Sequence, residues 1–491
     1  MDMTCIHTDD TRLAKAIAPQ VAAHPATSGL YLLPDGRDAF AARVLLTRFA
    51  DRTLDVQYYI WDNDKTGTLM LNALRAAADR GVRVRLLLDD NNTTGLDEIL
   101  AAFDTHPSVE VRLFNPLRIR RPRWINYVID FSRVNRRMHN KSITADGAAT
   151  IIGGRNVGDK YFDATEDMVF ADLDVIAVGP VAGDVVTDFE RYWNSESSVA
   201  ASRLLPRVEP ARCAELAEKA AQIESDPAAA TYLEAIRSLP FVHQMLDRKL
   251  PFEWAPVRMI SDDPANVLRP VKRKQQLWPK LREIIGESAS QFDLVSAYFV
   301  PTAAGVDAFI RLAQRGVKIR ILTNSLSTTD VAAVHAGYAK RRKRLLQAGI
   351  ELYELRTPSE APPTHKRVGL GSGSAGGSGK TSAASLHAKT FSVDRTRVFV
   401  GSFNFDPRSS RLNTELGFVI DSPTLAKLIE SRISEKMPAM TYRVHLSEHG
   451  KLYWSEQREG HTVRHDTEPR TSLHLRAGVW LLSLLPIEWL L

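Results

Sequence analysis

Apolar stretches of strand length alternate with amphipathic stretches of helix length along the 491-residue chain. In the first half, the apolar sequence LDVQYYIW (54–61) precedes a helical stretch that ends at Arg80-Gly81, where glycine is typical of a helix C-cap. A second apolar stretch follows at 84–88, then a Thr-Thr turn and the strand-like sequence VEVRLFNP (109–116). The order strand, helix, strand, helix, strand predicts an α/β lobe.

The same order returns in the second half of the chain. The strand-like sequence FDLVSAYFV (292–300) precedes a helix that ends at Arg315-Gly316, and a second apolar stretch, a Ser-Thr-Thr turn and IELYELRTP (350–358) follow. This repeat predicts the α/β class, with two similar lobes that are mostly parallel sheets flanked by helices. We place the lobes at residues 28–200 and 256–437.

Two stretches lie outside the repeat. Residues 201–255 are rich in Ala and Glu with helical periodicity and proline breaks, which predicts a helical connector. Residues 438–491 form a C-terminal extension, in which 438–470 is polar and predicted to be irregular and the end is apolar. Within the second lobe, the basic cluster 340–344 lies on a predicted helix, where it indicates a solvated face.

Charge and cysteine content narrow the class of protein. The net charge of +6 and the pI near 9.2 suit nucleic acid or an acidic membrane surface as a partner, but also fit a basic soluble enzyme. Two cysteines exclude a disulfide framework and a Cys-rich zinc site, which fits a reducing compartment. The N-terminal sequence lacks the apolar core of a secretory signal, and no run of about 18 apolar residues occurs, so we predict no spanning helix.

A glycine- and serine-rich stretch, GSGSAGGSGKTSAASLHAKT (371–390), offers two candidate sites. A phosphate-binding loop requires a glycine at position 374, where serine stands, and a helix after the loop, where SLHAKTFSVD alternates like a strand. We therefore interpret the run as a flexible loop. The remaining candidate is His387 with its neighbours.

The pattern His-x-Lys-x-x-x-x-Asp occurs twice, at equivalent points of the repeat. Each copy is followed by an apolar strand and Gly-x-x-Asn, with the same distance from histidine to asparagine. A single match is weak because short patterns arise by chance, whereas two matches in an independent repeat indicate a shared function. The motif regions are 134–161 and 381–408, with His139, Lys141, Asp146, Gly153 and Asn156 in the first and His387, Lys389, Asp394, Gly401 and Asn404 in the second.

These residue types suit the cleavage of a phosphate diester. Histidine and lysine two positions apart on a strand point to the same face, so each copy places an imidazole beside an ammonium. Two such pairs with two asparagines would hold one phosphate, while one histidine attacks phosphorus and the other protonates the leaving oxygen. The aspartates are interpreted as residues that close the strand turn. A single buried histidine is more often a satisfied core residue, so this hypothesis depends on the doubling. We expect no metal and no cofactor.

The doubled motif resembles the signature of the phospholipase D superfamily, and the resemblance extends over residues 31–433. It implies two phospholipase-D-like lobes with one shared active site between them, in which His139 is the nucleophile that forms a phosphohistidine and His387 is the general acid and base. In the family a further acidic residue hydrogen-bonds a catalytic histidine, and Glu415 and Asp172 either fit that place or are ordinary strand-end charges. The resemblance also assigns phosphate binding to Lys141, Lys389, Asn156 and Asn404 and includes Asp146 and Asp394 in the site.

Longer segments are similar to bacterial cardiolipin synthases of the subgroup without two N-terminal transmembrane helices, namely DVQYYIWDNDKTG, LLLDDNNTTGLD, RMHNKSITAD, GGRNVGDKYF and GSFNFDPRSSRLNTELG. The similarity implies transfer of a phosphatidyl group between phospholipids, with phosphatidylglycerol as the acceptor and cardiolipin as the product. Capture by water would give phosphatidic acid, and residue spacing does not choose between these acceptors. A nuclease of the same superfamily is the alternative. A catalytically dead scaffold is disfavoured because both motifs are complete.

Two stretches bear on where the substrate is met. The apolar tail 477–491, with Trp480 and Trp489, is too short to span a bilayer and is either an interfacial anchor or a helix docked on the fold. The stretch 116–141 mixes seven arginines with aromatic residues, which suits anionic headgroups or nucleic acid. The tail, and the mixing of basic with aliphatic residues, favour lipid. We expect anionic and zwitterionic phospholipids as partners, and a peripheral position on the bacterial inner membrane, at its cytoplasmic face.

Overall fold

The computed structural model describes residues 10–164, 169–269, 276–356 and 384–485, so most of the glycine- and serine-rich run lies outside the described residues. The chain forms two compact units. Unit 1 consists of Met1–Ala164, Leu173–Gln275 and Asn413–Phe418, and unit 2 consists of Thr165–Asp172, Gln276–Leu412 and Val419–Leu491. Each unit therefore contains one His-x-Lys motif and a short segment that follows the other motif in sequence.

The secondary structure follows the predicted alternation. The strands are β1 (Ser28–Leu33), β2 (Thr53–Tyr58), β3 (Arg83–Asp89), β4 (Val109–Phe114), β5 (Ser142–Ala145), β6 (Ala149–Gly153), β7 (Val169–Ala171), β8 (Asp174–Val178), β9 (Ser198–Ala200), β10 (Glu253–Ala255), β11 (Val257–Ser261), β12 (Gln291–Ser296), β13 (Lys318–Asn324), β14 (Glu351–Leu355), β15 (Ala384–Leu386), β16 (Lys389–Val393), β17 (Arg397–Gly401), β18 (Leu416–Asp421), β19 (Thr441–Leu446), β20 (Leu452–Arg458) and β21 (His461–His465). The helices are α1 (Arg12–Ala23), α2 (Gly36–Phe49), α3 (Lys65–Asp79), α4 (Asp97–Phe103), α5 (Ile125–Ile129), α6 (Phe131–Val134), α7 (Pro180–Trp193), α8 (Ala214–Ser225), α9 (Pro227–Arg237), α10 (Pro240–Leu246), α11 (Leu277–Gly286), α12 (Ala303–Gln314), α13 (Ala332–Ala339), α14 (Arg342–Gln347), α15 (Pro407–Arg411), α16 (Pro423–Met440) and α17 (Leu473–Leu484).

The sheet of unit 1 has the strand order β10-β1-β8-β6-β5-β2-β3-β4-β9. Its central strand β2 is buried at all six positions, and Leu54, Val56 and Tyr58 are at most 1% exposed. Burial of each such side chain contributes about 1.5–3 kcal/mol. The helix after β2 begins where the Asp64 side chain accepts a hydrogen bond from the Gly67 amide. It ends before Gly81, whose φ of +92° suits glycine at the expected C-cap.

Unit 2 repeats this arrangement in the order β18-β17-β16-β12-β13-β14-β19-β20-β21. In both units an ion pair joins two neighbouring parallel strands, and it is buried in unit 1 and partly buried in unit 2. Arg85 Nε lies 2.7 Å from Asp55 Oδ1 in unit 1, and Arg320 Nε lies 2.6 Å from Asp293 Oδ1 in unit 2. These pairs fix the correspondence between the copies, since the same register joins β2 to β3 and β12 to β13.

The predicted α/β class with two similar lobes is confirmed, but the expectation of mostly parallel sheets is wrong. In unit 1 only β2 with β3 and β3 with β4 are parallel among the described strand pairs of the sheet, and the other neighbours are antiparallel. For the pair β5–β6 the reason is local, because the motif strand β5 turns tightly through Asp146 and Gly147 into β6. So short a connection can join only antiparallel strands.

The prediction that residues 438–470 are irregular is also wrong. This segment continues α16 and then forms β19, β20 and β21, which extend the second sheet by antiparallel pairing. Its polar residues mark one exposed face of strands whose other face buries Tyr442, Val444 and Trp454. A two-residue turn, Glu459-Gly460, with φ of +52° and +80°, connects the last two strands.

The basic cluster 340–344 is not a uniformly solvated face. Arg342 is 1% exposed, because α14 packs against β14 and β19 and brings this residue inward. Its guanidinium lies 3.0 Å from Glu354 and 2.6 Å from Glu468. The flanking Lys340 and Arg344 are exposed, as the prediction requires. The basic cluster therefore combines solvated cations with one cation, Arg342, that is part of the folded interior.

The predicted helical connector forms α8, α9 and α10, which belong to unit 1 and pack on α2 and α3. Tyr232 of α9 donates a hydrogen bond of 2.7 Å to the carbonyl of Phe162. Across the described ranges, no helix combines the length and hydropathy that crossing a bilayer requires.

Candidate functional site

The backbone of the first motif, just before β5, pairs with a segment from much later in the sequence. His139 lies just before β5 rather than within it, and its backbone amide donates a hydrogen bond of 2.8 Å to the carbonyl of Thr414. The amide of Thr414 in turn donates to the carbonyl of Arg137 at 2.9 Å. Thr414 therefore forms a parallel bridge with Met138 inside unit 1.

This pairing places Glu415 beside the histidine. The Nδ1–H of His139 donates to Glu415 Oε2 at 2.8 Å, and the two side chains are 8% and 0% exposed. The backbone of Glu415 is held by Asp262, whose carboxylate accepts the Glu415 amide at 2.9 Å and whose amide donates to the Glu415 carbonyl at 3.0 Å. A carboxylate fixed in this way sets the orientation of the imidazole and stabilises its cationic form.

Lys141 and Tyr59 complete the surroundings of His139. Lys141 is 1% exposed, and its Nζ donates to the carbonyl of His139 at 2.5 Å. The Tyr59 ring meets the His139 ring edge-on, with 4.8 Å between the two centroids. The Lys141 ammonium lies 5.4 Å from the centroid of the Tyr59 ring. A buried ammonium next to the imidazole creates a positive region suited to an anion.

The remaining residues of the first motif lie to either side. The Asn156 Oδ1 accepts the amide of Ile60 at 3.2 Å, and its Nδ2 donates to the Tyr161 hydroxyl at 3.0 Å, so these contacts fix the Asn156 side chain. Asp146 sits beyond the far end of β5 from Lys141, where its carboxylate accepts the amides of residues 51, 52 and 53 at 2.8–3.0 Å. Asp146 is therefore engaged with backbone at the start of β2.

In unit 2 the backbone at the second motif histidine likewise pairs with a segment distant in sequence. The expected single strand SLHAKTFSVD is interrupted at His387 and Ala388, because residues 384–386 pair with β7 while residues 389–393 pair with β12. The amides of His387 and Ala388 both donate to the carbonyl of Ala171, at 2.8 and 3.1 Å. The chain thus changes partner strand at the histidine.

Asp172, the residue after β7, reaches the second histidine. His387 Nδ1 lies 2.6 Å from Asp172 Oδ2 and 3.1 Å from Lys389 Nζ. A carboxylate can only accept, so Nδ1–H donates to Asp172, while the Lys389 ammonium donates to the carbonyl of His387. His387 and Lys389 are 8% and 2% exposed, which makes this a second buried imidazole–ammonium pair.

Asp394 and Asn404 occupy the positions of Asp146 and Asn156. The Asp394 carboxylate accepts the amides of residues 289, 290 and 291 at 2.8–3.2 Å. Burial would raise the pKa of Asp394, but these amides outweigh it and lower the pKa below the ordinary value of 3.8. Asn404 is 4% exposed, and its backbone amide donates to the Ser409 hydroxyl at 3.3 Å.

The two histidine–carboxylate pairs cross the order of the sequence. Glu415 follows the second motif but binds the first histidine, and Asp172 follows the first motif but binds the second histidine. Both residues were candidates from the sequence, yet nothing in the sequence specified which histidine each would meet. Within each unit, the structure brings together histidine, lysine and carboxylate, while the motif aspartate binds backbone at the other end of the hairpin strand.

Sequence reasoning missed Asp89, at the end of β3. Its carboxylate accepts the amide of Met138, the residue before His139, at 2.8 Å. Burial raises the pKa of Asp89 to about 6, against the opposing effect of Arg137. In unit 2 the equivalent residue is Asn324, whose Oδ1 accepts the amide of Leu386 at 2.9 Å. The available clue was the polar residue that ends the second apolar strand of each repeat.

Over the described ranges, no three His, Cys, Asp or Glu side chains are grouped so that they could hold a metal ion.

Comparison with known proteins identifies the family. A family profile described as cardiolipin synthase, PLD-like domain, matches residues 47–193 and 281–437. The chain is 50% identical over 481 residues to cardiolipin synthase C of Escherichia coli, which covers 98% of this chain and 100% of that protein. The major cardiolipin synthase of Bacillus subtilis is 24% identical over 412 residues, covering 83% of this chain and 68% of that protein.

A solved structure supports the fold. The phosphatidylserine synthase of Haemophilus influenzae superposes with a TM-score of 0.60 at 12% identity, covering 98% of this chain and 100% of that one. Identity this low supports the fold alone. The relationship, the two-lobed α/β class and the enzyme class predicted from the sequence are confirmed. The chain belongs to the cardiolipin synthase family of PLD-like proteins and is an enzyme of the phospholipase D superfamily.

Proposed function

We propose that this chain forms cardiolipin by phosphatidyl transfer through a phosphohistidine at His139. The observation on which the proposal rests is the pairing of each motif histidine with one buried carboxylate, at 2.8 Å for His139–Glu415 and 2.6 Å for His387–Asp172. A histidine whose Nδ1–H is held by a carboxylate is a stronger base and nucleophile at Nε2.

In the first half-reaction, His139 Nε2 attacks the phosphorus of a donor phospholipid. A nitrogen–phosphorus bond forms, and the bond from phosphorus to the head-group oxygen breaks. The imidazolium of His387 gives its proton to that oxygen, and the head group leaves as a free alcohol. Asp172 supports this step because its negative charge favours the protonated imidazole of His387.

In the second half-reaction, the hydroxyl of an acceptor lipid loses its proton to His387, and its oxygen attacks the phosphorus. The nitrogen–phosphorus bond breaks and His139 is restored. Phosphatidylglycerol as acceptor gives cardiolipin, and water in its place gives phosphatidic acid. Both half-reactions place negative charge on the non-bridging oxygens, which the Lys141 and Lys389 ammonium groups and the amides of Asn156 and Asn404 stabilise.

We further propose a peripheral position on the inner membrane, at its cytoplasmic face. Helix α17 supports this placement, because Val479 packs against Leu326 and Ala336 while Trp480, Leu481 and Leu484 are about 60% exposed (61%, 58% and 63%). The helix is thus docked on unit 2 through one face and apolar on the other. Residues 486–491 of the tail, including Trp489, lie outside the described residues.

The decisive experiment presents purified protein with vesicles of phosphatidylethanolamine and phosphatidylglycerol in metal-free buffer and separates the lipid products. We expect the wild type to form cardiolipin, and His139→Ala to form none. His461→Ala serves as the matched control, because His461 is an exposed histidine of β21, and it should retain full activity.

Other products would change the assignment. Phosphatidic acid alone would make the chain a hydrolase under these conditions. Cleavage of a DNA or RNA backbone that requires His139, with no lipid product, would overturn the lipid assignment in favour of a nuclease.

A further inference from the structure

Most arginines of the stretch before His139 already bind partners within unit 1. Arg120 and Arg123 both bind Asp97 Oδ1, at 2.5 and 2.8 Å. Arg133 pairs with Asp130 at 2.6 Å. Arg136 donates to a backbone carbonyl at 2.8 Å, and Arg137 donates to another at 2.5 Å. Most of the seven arginines therefore stabilise the fold and are committed to partners within the protein.

Further contacts hold residues 116–137 in a defined shape. This segment, which contains the short helices α5 and α6, is called the loop below. The side chain of Asn126 accepts the Ile119 amide at 3.0 Å and donates to the Ile119 carbonyl at 2.7 Å. The Tyr127 hydroxyl donates to Asn91 Oδ1 at 2.5 Å. Asn115 donates to the carbonyls of Arg133 and Arg136, at 3.0 and 2.7 Å. The loop is thus tied to the ends of β3 and β4.

A group of large apolar side chains projects from this fixed loop. Trp124 is 65% exposed, Val128 72%, Ile129 62% and Phe131 40%. We call these four residues the apolar ridge. Exposing apolar surface to water is unfavourable, and a cluster of exposed large apolar side chains commonly marks a binding surface. The two exposed arginines of the stretch, Arg118 and Arg121, lie in the same loop.

We propose that the apolar ridge inserts into the interface of an anionic phospholipid bilayer, with Arg118 and Arg121 at the level of the lipid phosphates. A tryptophan next to aliphatic side chains, flanked by arginines, matches the layered polarity of a membrane surface. A single-stranded nucleic acid would instead require arginines available along a track of stacking aromatics, and here most of the arginines are already bound.

The ridge also has a consequence for the site. Phe131 is eight residues before His139, and the Asn115 contacts to Arg133 and Arg136 fix the backbone between them. Insertion of the ridge would therefore hold the motif of unit 1 at a constant depth relative to the lipid phosphates. This inference rests on the proposed phosphatidyl transfer for its purpose, but the binding itself is measurable without turnover.

The test uses the full chain carrying His139→Ala, so that lipid is bound and not consumed. Binding is measured by co-sedimentation with vesicles of phosphatidylglycerol and phosphatidylcholine in equal parts, and with vesicles of phosphatidylcholine alone. We expect Trp124→Ser/Val128→Ser/Ile129→Ser to weaken binding to the mixed vesicles by about tenfold or more. Arg118→Ala/Arg121→Ala should weaken it by about tenfold, and only when phosphatidylglycerol is present.

Matched controls separate the ridge from exposed surface in general. Leu246→Ser replaces a leucine of α10 that is 52% exposed, and Arg237→Ala/Lys249→Ala removes two cations that are 71% and 75% exposed. Neither should change binding by more than about twofold. Insertion depth is read from quenching of tryptophan fluorescence by brominated lipids, which Trp124→Phe should reduce.

Three outcomes would overturn the inference. The first is binding of the triple variant as tight as that of the parent protein. The second is an equal loss of binding with the control variants. The third is a lipid-free dimer that sedimentation detects in the parent and not in the triple variant, which would assign the ridge to a second copy of the chain. If cardiolipin synthesis failed while ridge-dependent binding held, the proposed function and not the ridge would be at fault.

Discussion

The two motif histidines are held alike but surrounded differently. Each donates Nδ1–H to a buried carboxylate, which is glutamate for His139 and aspartate for His387. The ring of Tyr59 packs on His139, whereas the equivalent position in unit 2 is Ala297. The two copies therefore share the carboxylate contact of the imidazole and differ in the side chain next to the ring.

The different surroundings of His139 and His387 agree with different roles in the reaction. In unit 1 the residue that fixes the backbone before the histidine is the buried Asp89, and in unit 2 it is the neutral Asn324. In unit 2 the Lys389 ammonium lies 3.1 Å from the ring nitrogen that binds the carboxylate. A nucleophile must remain neutral at Nε2, while an acid and base must gain and lose a proton, so unlike surroundings suit unlike roles.

The largest expected effect comes from exchanging each histidine for glutamine. His139→Gln should lower turnover by at least about 10³-fold and abolish covalent labelling by a phospholipid with a radioactive phosphate. His387→Gln should lower turnover by about 10²–10⁴-fold but still accumulate label, because the nucleophile remains. Rapid quenching in alkali, where phosphohistidine survives, measures the label. Label on the His139 variant and none on the His387 variant would reverse the roles.

A smaller effect is expected from the orienting carboxylates. Glu415→Gln and Asp172→Asn should each lower kcat by about 10–100-fold, because an amide no longer favours the imidazolium. Glu415→Gln should slow formation of the label, as a defect of His139 would, although Glu415 follows the second motif in sequence. Glu234→Gln, at a site that is 72% exposed, is the control. An equal effect of Glu415→Gln and Glu234→Gln would remove the orienting role.

Replacing either motif aspartate should lower the free energy of unfolding without impairing the chemical step, and the loss of stability should be larger for Asp146 than for Asp394. Asp146 is fully buried and Asp394 partly exposed, while both accept three consecutive amides. Asp146→Asn should cost about 2 kcal/mol of unfolding free energy and Asp394→Asn about 1 kcal/mol. Urea unfolding measures both.

The pH dependence of the Asp394 contribution follows from its pKa, which is lowered from 3.8. The stability from Asp394 is present above pH about 4 and is lost as the pH falls through the folded-state pKa. Loss of activity without loss of stability in either aspartate variant would contradict the assignment to the turn.

A last expected effect appears only as a pH dependence and concerns Asp89, whose pKa is raised to about 6 by burial. A raised carboxyl pKa means that the folded state holds its proton more tightly than the unfolded state, so stability falls as pH rises from about 4 to about 6. Asp89→Asn copies the residue of unit 2 and removes this dependence. The stability of the variant relative to wild type should therefore improve by about 2 kcal/mol between pH 4 and pH 7, as measured by urea unfolding. A pH-independent difference would contradict it.

Much of this molecule was predictable from periodicity and repetition. Alternating apolar stretches located β2, β3, β12 and β13, and the doubled motif located both histidines. The direction of the hairpin strands and the burial of Arg342 were not predictable, because both depend on tertiary packing that a local pattern does not record. Glu415 and Asp172 were found as candidates, but their partners were not, since a hydrogen bond across 276 residues leaves no local trace.

The borrowed segments Asn413–Phe418 and Thr165–Asp172 bear on how such a chain could have arisen. Each half of the sequence encodes a histidine whose orienting carboxylate is encoded in the other half. An ancestor with one motif would have obtained that carboxylate only from a second molecule, through an exchange of strand segments. Fusion of two genes would then have turned an association that depends on concentration into a permanent one. After that fusion, neither half could be lost or inherited alone without leaving a histidine unsupported.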